Sequence, residues 1–221
     1  MSYVDTDLFV PAKSAETKSS LRGPWAIPGD AMVLLFVGSV VGRKGADILI
    51  RAFIGAGSQG RALHLLIVGP NTNAQNPSVD QDFVDGLHAL LDMAGMAGRV
   101  SFTGLIEDRR SLANLYRASD IFVFPSNQEG LVHVVLEAMA SGLPVVATRL
   151  PVLAGIIKHG QNGLLVPIGD PNALKDSLLA LTADRGLMRR LGRAARDCAV
   201  SAHGFEAWQS QLAGIYRALL S

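Results

Sequence analysis

Residues 120–144 read DIFVFPSNQEGLVHVVLEAMASGLP, and this stretch decides the fold. Residues 121–124 form a short apolar run that ends at Pro125, which is typical of a buried strand. Residues 132–140 form a longer apolar run that Gly142 closes, which predicts a helix. The stretch therefore predicts a strand, a turn and a helix in immediate succession.

The turn between this strand and this helix places Glu129 and Gly130 beside the first amides of the helix. Those amides have no partner within the helix and carry a partial positive charge, so the turn can receive an anionic phosphate. Glu137 lies further along the helix, at another depth. By spacing alone, an exposed turn glutamate and a solvated helix glutamate are the favoured interpretation of this pair.

Strand-like and helix-like runs alternate along the rest of the chain, which is typical of a parallel sheet covered on both faces. We therefore predict an α/β protein with a Rossmann-like, doubly wound parallel sheet and helices on both faces. Residues 1–30, which contain several prolines and glycines, are predicted to be an irregular lead-in and linker, and residues 31–221 to be the domain with its C-terminal helices. The predicted strands are residues 32–37, 63–68, 100–103, 121–124, 145–148 and 163–166, and the predicted helices are residues 46–56, 82–94, 110–118 and 132–140, with others from residue 171 onward.

The composition is that of a folded globular protein, since 49% of the 221 residues are hydrophobic and 18% are charged. The net charge of +1 gives no electrostatic reason to expect nucleic acid as a partner. Residues 1–7 have neither a basic leader nor an apolar core, and no apolar run is long enough for a transmembrane segment. The single cysteine, Cys198, cannot form an internal disulfide and fits a reducing compartment. We therefore predict a cytoplasmic protein.

The predicted loop of residues 38–45, GSVVGRKG, combines glycines, a hydroxyl and two cations near exposed helix amides. In an open parallel sheet the ligand crevice lies beyond the carboxyl ends of the strands, where this loop and the turn at Glu129 both lie. The loop suits a diphosphate, although it is not a P-loop, because Gly45 rather than Ser or Thr follows Lys44. A glycine-rich turn with two solvated cations explains the composition equally well.

Glu129-Gly130-Leu131, followed by the run LEAMASGLPVVAT at residues 136–148, resembles the C-terminal, donor-binding half of retaining GT-B glycosyltransferases. The resemblance is to the glycogen synthase and mannosyltransferase type, that is, to glycosyltransferase family 4 or "glycosyl transferases group 1". It extends to Lys44-Gly45, which stands at the family's distance from Gly38, whereas Ser39 stands where many members have arginine. The resemblance covers nearly the whole chain.

The resemblance implies a role for each residue of the candidate site. Glu129, as the catalytic residue, would contact the donor sugar near its reacting carbon, and Glu137 would bind the ribose hydroxyls of the nucleotide. Lys44 and the amides at the start of the helix would bind the diphosphate, and Ile106 would line the base. No metal would be needed, and no cofactor besides the nucleoside diphosphate sugar that serves as the donor substrate. The implied substrate-binding residues are Ser39, Lys44, Ile106, Glu129, Gly130, Leu131, Val132 and Glu137.

By the same resemblance, residues 31–221 form the nucleotide-sugar-binding domain of a hexosyltransferase with an unidentified acceptor. We expect the family's N-terminal acceptor domain to be absent from this sequence and to be its partner in cis or in trans, and any peripheral membrane contact to be made through that domain. The main alternative is a non-catalytic subunit that binds a nucleotide sugar or docks on a separate acceptor protein. Under both hypotheses the last helix is expected to expose apolar surface. A dinucleotide-dependent oxidoreductase is a weaker alternative, because no acidic residue ends the second strand, where Val68 leads into Gly69.

Overall fold

The computed structural model describes residues 3–60 and 62–220, and within them six strands form one sheet. The strands are β1 (Met32–Val37), β2 (Leu63–Val68), β3 (Val100–Phe102), β4 (Ile121–Phe124), β5 (Val145–Thr148) and β6 (Leu164–Val166). They lie in the order β3-β2-β1-β4-β5-β6, and every neighbouring pair is parallel. This confirms the predicted Rossmann-like α/β fold, and each strand bound agrees with its prediction to within one residue.

Helices cover both faces of this sheet. The described residues form α1 (Ala15–Ser20), α2 (Ala46–Gly57), α3 (Gln81–Met93), α4 (Arg109–Ala118), α5 (His133–Ala140), α6 (Pro171–Ala183), α7 (Arg185–His203) and α8 (Phe205–Leu220). One hydrophobic core holds buried residues of α4, α5 and α7, and the other holds those of α2, α3 and α6. No helix among the described residues is both long and apolar enough to cross a membrane.

The strands are apolar because both of their faces are buried. In β1, Val33 and Leu35 face the core of α4 and α5, whereas Leu34 and Phe36 face the core of α2 and α3. Alternate side chains of a strand point to opposite faces, so most positions of a strand between two helical layers are apolar. The polar exceptions are hydrogen-bonded, as His64 of β2 is to Ser101 of β3 at 2.9 Å. This apolar pattern explains why the sequence alone predicted the strands so closely.

The predicted irregular lead-in contains one helix that the sequence interpretation missed. α1 buries none of its residues, so it lacks the apolar periodicity by which a helix is recognised in a sequence. The Ser14 side chain accepts a hydrogen bond from the Thr17 amide and caps this helix. Val4 and Phe9, which precede α1, are buried in the core of α4 and α5. The boundary at residue 30 stays a prediction, but three residues before it, Val4, Phe9 and Ile27, belong to this core.

Asp120 attaches the lead-in to the amino end of β4. Its carboxylate accepts a hydrogen bond from the Val33 amide at 2.8 Å and forms ion pairs with Lys18 and Arg22, each at 2.8 Å. The buried Arg22 guanidinium also donates to the carbonyl oxygens of Ala118 and Ala31. A buried cation of this kind is tolerated because its donors are satisfied.

Candidate functional site

The candidate site lies where the order of the strands reverses. β1 and β4 are neighbours in the sheet, but the chain leaves β1 toward β2 and leaves β4 toward β5. Loops diverge at such a point, and the crevice between them is the usual ligand site of an open parallel sheet. The two loops here are residues 38–45, after β1, and residues 125–132, after β4.

These two loops are in direct contact with each other. The Asn127 amide donates a hydrogen bond to the Arg43 carbonyl oxygen at 2.8 Å. Gly45 has a φ of +70°, and a Cβ atom at this position would lie 2.1 Å from the Pro125 carbonyl oxygen. Glycine therefore permits both the left-handed backbone and the close approach of the loops. The contact brings Lys44, which precedes Gly45, close to the turn at Glu129.

Lys44 and Glu129 form an ion pair at the centre of the candidate site. The Lys44 Nζ atom lies 2.5 Å from Glu129 Oε1, and Arg43 Nη1 lies 3.9 Å from Glu129 Oε2. The exposed fractions of the Lys44 and Glu129 side chains are 17% and 6%, whereas that of Arg43 is 60%. Two predicted site residues from distant parts of the sequence are thus brought together, and their charges interact in a mostly desolvated setting.

Ser126 and Thr148 hold Glu129 in place, and the sequence interpretation missed both. The Ser126 hydroxyl donates to Glu129 Oε1 at 2.9 Å, and the Thr148 hydroxyl donates to the Ser126 carbonyl oxygen at 2.5 Å. Ser126 and Thr148 are buried. The available signal was their position, because each lies at the carboxyl end of a parallel strand beside the crevice.

Two helices begin at the candidate site without a side-chain cap. α2 starts after Gly45 and α5 after Val132, and neither N-cap residue makes a side-chain hydrogen bond within the described residues. In contrast, α1, α3, α4, α6 and α7 are each capped by a serine or aspartate oxygen. Free amides and a positive helix dipole therefore remain at the two helix ends nearest Lys44, where they can bind an anion.

Glu137 lies one turn into α5 and is held by a different set of groups. The buried Tyr116 hydroxyl donates to Glu137 Oε2 at 3.0 Å, and Arg109 Nη2 lies 3.9 Å from Glu137 Oε1. Burial raises the pKa of the Glu137 carboxyl above its ordinary value, although the Tyr116 hydrogen bond and the charges of Arg109 and His133 oppose this. A cavity of about 290 Å³, which Arg109, His133 and Asp5 also line, opens beside this carboxyl.

We expect Glu137→Gln to stabilise the protein at neutral and alkaline pH. Because the pKa of Glu137 is raised on folding, its contribution to stability is fully present below the pKa of the unfolded chain and is lost as the pH rises through the folded-state pKa. Glutamine keeps an oxygen for Tyr116 and cannot ionise. The melting temperature of the variant should exceed that of the wild type at about pH 8, and the difference should vanish at about pH 4. Glu107→Gln, at an exposed glutamate, is the control, and an equal difference at both pH values would contradict the assignment.

The other predicted site residues lie around this centre. Ser39 accepts a hydrogen bond from the Asn76 side chain at 3.0 Å, a contact that the sequence interpretation missed. Ile106 is half-buried and packs against the core of α4 and α5. Gly130 is exposed, Leu131 is 67% exposed, and the Val132 side chain is buried at the start of α5. The roles of these residues toward a ligand stay predictions.

Within residues 3–60 and 62–220, no group of three or more His, Cys, Asp or Glu side chains is arranged as a metal site.

Comparison with known proteins identifies the family of this chain. The family model described as "Glycosyl transferases group 1" matches residues 17–197. The chain belongs to this family. The resemblance found in the sequence is thereby confirmed, and the Glu129-Gly130 turn and the loop of residues 38–45 both lie within the matched region.

The chain is 35% identical over 195 residues to a D-inositol 3-phosphate glycosyltransferase of Xylanimonas cellulosilytica, and the match covers 87% of the chain and 44% of that protein. It is 28% identical, with a TM-score of 0.81, to the C-terminal domain of LpcC, a glycosyl transferase group 1 family protein from Francisella tularensis, and the match covers 91% of the chain and 99% of that domain. Anabaena HepE, solved in complex with UDP and glucose, shares the fold at 24% identity and a TM-score of 0.85, over 98% of this chain and 55% of HepE. The chain spans less than half the length of the curated relatives it matches.

Proposed function

We propose that this chain is the donor-binding domain of a retaining glycosyltransferase, which transfers a hexosyl group from a nucleoside diphosphate sugar. The observation that carries the proposal is the meeting of two uncapped helix ends and the Lys44 ammonium around Glu129, at the point where the strand order reverses. Fixed amides and a positive charge together can bind a diphosphate.

The donor is proposed to bind along the crevice with its diphosphate between Lys44 and the start of α5. Charge builds on the diphosphate as the bond to the sugar breaks, and preorganised amides and cations stabilise that charge without a metal. Glu129, held by Ser126 and Thr148, faces the sugar near its reacting carbon. The Glu137 carboxylate accepts hydrogen bonds from the ribose hydroxyls, and Ile106 packs beside the base.

The Lys44 ammonium is already paired with Glu129 before a donor binds. Glu129 Oε1 is the acceptor for both Lys44 and the Ser126 hydroxyl. When the diphosphate enters, the Lys44 ammonium turns toward it or is shared with it, while Ser126 and Arg43 remain to stabilise Glu129. The ion pair therefore keeps Lys44 at the site before the donor binds.

The acceptor-binding half of the enzyme is proposed to be a separate domain, in cis or in trans. As the sequence predicted, the last helix exposes apolar side chains, namely Phe205, Ile215 and Tyr216. The ring of Tyr3 packs near those of Phe205 and Trp208, with ring centres 6.0 Å apart in both pairs. Exposed aromatic residues of this kind are typical of protein interfaces, so we propose that this surface contacts the acceptor domain. A cytoplasmic location completes the proposal, since the free thiol of Cys198 fits a reducing compartment.

A thermal-shift panel of UDP-, GDP- and ADP-sugars tests this function. A ligand that binds only the folded state, and is present at a concentration 100 times its Kd, stabilises the folded state by about 2.7 kcal/mol. We expect the nucleotide sugars that carry one particular base to raise the melting temperature, and NAD to have no effect. UDP-glucose is the first to be tested. A response to NAD alone would favour an oxidoreductase, and no response to any nucleotide sugar would contradict the proposal.

A further inference from the structure

A second concave surface lies at the amino ends of the strands, at the opposite edge of the sheet from the candidate site. Adjoining cavities of about 190, 330 and 430 Å³ share Lys18 and Asp120 among their lining residues. Met32, at the start of β1, and Pro144, before β5, line two of them, which places them at the amino edge. A further cavity of about 320 Å³ continues along α7. We call this surface the basic groove, defined by residues 11–19 on one side and residues 185–193 on the other.

Three arginines of α7 line the basic groove in a regular row. Arg185, Arg189 and Arg193 are four residues apart, so they lie on one face of the helix, and the row spans about 12 Å. All three are exposed, and none of their side chains makes a hydrogen bond or ion pair within the described residues. Like charges at this spacing repel one another and weaken a helix. The row therefore lowers the stability of α7 unless an anion is bound to it.

The positive charge is concentrated on this helix. α7 contains five arginines and one aspartate, which gives it a net charge of +4, whereas the whole chain has a net charge of +1. The acidic residue inside the groove, Asp120, is already neutralised by Lys18 and Arg22. Asp30 and Asp197 line the outer cavities and reduce the positive potential at the two ends of the groove.

A buried hydroxyl beside the groove has no partner. Ser141 lines the cavity of about 190 Å³ together with Arg189, and its Oγ atom makes no hydrogen bond within the described residues. Buried polar groups are nearly always paired, and an unpaired one often marks the place of a bound water, ion or ligand. This observation is independent of the arginine row and belongs to the same groove.

We propose that the basic groove binds a ligand with two or more phosphate groups. Guanidinium groups bind phosphate oxygens through paired hydrogen bonds, and a row of about 12 Å is longer than one phosphate can span. The cavities of about 320, 330 and 430 Å³ are of the size that small ligands occupy. The phosphates belong either to a free small molecule or to lipid headgroups at a membrane surface. The groove does not overlap the candidate site, so this inference stands whether or not the proposed function holds.

Calorimetric titration of the whole chain with inorganic tripolyphosphate tests the groove. The groove variant is R185Q/R189Q/R193Q, and the charge-matched control is R51Q/R110Q/R217Q, which removes three exposed arginines from other surfaces. We expect the groove variant to bind one tripolyphosphate fewer than the wild type, through a loss of about 100-fold or more in affinity at the groove, and the control to bind as the wild type does. A site at Lys44 would bind tripolyphosphate in both variants. The titration therefore distinguishes a failure of the groove from a failure of the proposed function.

A second arm identifies the source of the phosphates. Vesicles of phosphatidylcholine with and without phosphatidic acid are sedimented with the wild type and both variants. Binding that requires phosphatidic acid and is lost only in the groove variant supports a lipid headgroup, whereas tripolyphosphate binding without vesicle binding supports a free ligand. Equal tripolyphosphate binding by the groove variant and the control, or no binding at all, overturns the proposal. Melting curves of all three proteins show that the variants are folded.

Discussion

Gly45→Ala should lower the free energy of unfolding by about 3 kcal/mol or more and abolish nucleotide binding. The new Cβ atom would lie 2.1 Å from the Pro125 carbonyl oxygen, and the residue would have to keep a φ of +70°. The backbone of one loop must therefore move away from the other. This movement separates Lys44 from Glu129 and removes the site as well as stability.

Gly42→Ala is the matched control for this experiment. Gly42 lies in the same loop, has no positive φ, and a Cβ atom there would meet nothing within 4 Å. Its effect on the free energy of unfolding should stay within about 0.5 kcal/mol. Urea denaturation measures both variants. If Gly45→Ala is as stable as Gly42→Ala, the contact between the two loops is not the constraint described here.

Lys44→Met should weaken the binding of a nucleoside diphosphate by about 10- to 100-fold, because a hydrogen bond from a charged donor contributes about 1.5–3 kcal/mol. Methionine keeps much of the buried stem and removes the ammonium. Isothermal titration with the diphosphate identified by the thermal-shift panel measures the effect. Arg43→Met is the control, since Arg43 is 60% exposed and lies 3.9 Å from Glu129, and its loss of affinity should be several-fold smaller.

Lys44→Met also leaves Glu129 without its close cation, so the stability of the protein falls. The double variant Lys44→Met/Glu129→Gln removes both charges and should recover much of the melting temperature without recovering nucleotide affinity. This separates the structural role of the ion pair from the binding role of the ammonium. Affinity that returns together with stability would show that Lys44 acts on binding only through the fold.

The fold could be predicted from the sequence because its main signal is local. Strands that are buried on both faces are mostly apolar, so residues 32–37 and 121–124 are predicted with their observed bounds. The positions of the loops at the candidate site follow from the same pattern, since each loop directly follows a strand. The exposed helix α1 was missed because a helix that buries nothing has no apolar periodicity.

The contacts that build the candidate site could not be predicted in the same way. Ser126 supports Glu129 within one turn, but its own support comes from Thr148 on the next strand. Tyr116, on α4, reaches Glu137 on α5 across the core. Such pairs depend on the packing of elements that are distant in sequence, and neither residue type nor spacing identifies the partner of each side chain.

The central claim is that Lys44 and the first amides of α5 bind the diphosphate of the donor. A crystal structure of the chain with the preferred nucleoside diphosphate tests it most directly. We predict that the diphosphate oxygens lie within hydrogen-bonding distance of the Lys44 ammonium and of the amides that open α5, with Glu137 facing the ribose. A nucleotide bound elsewhere, with Lys44 still paired only to Glu129, would contradict the claim.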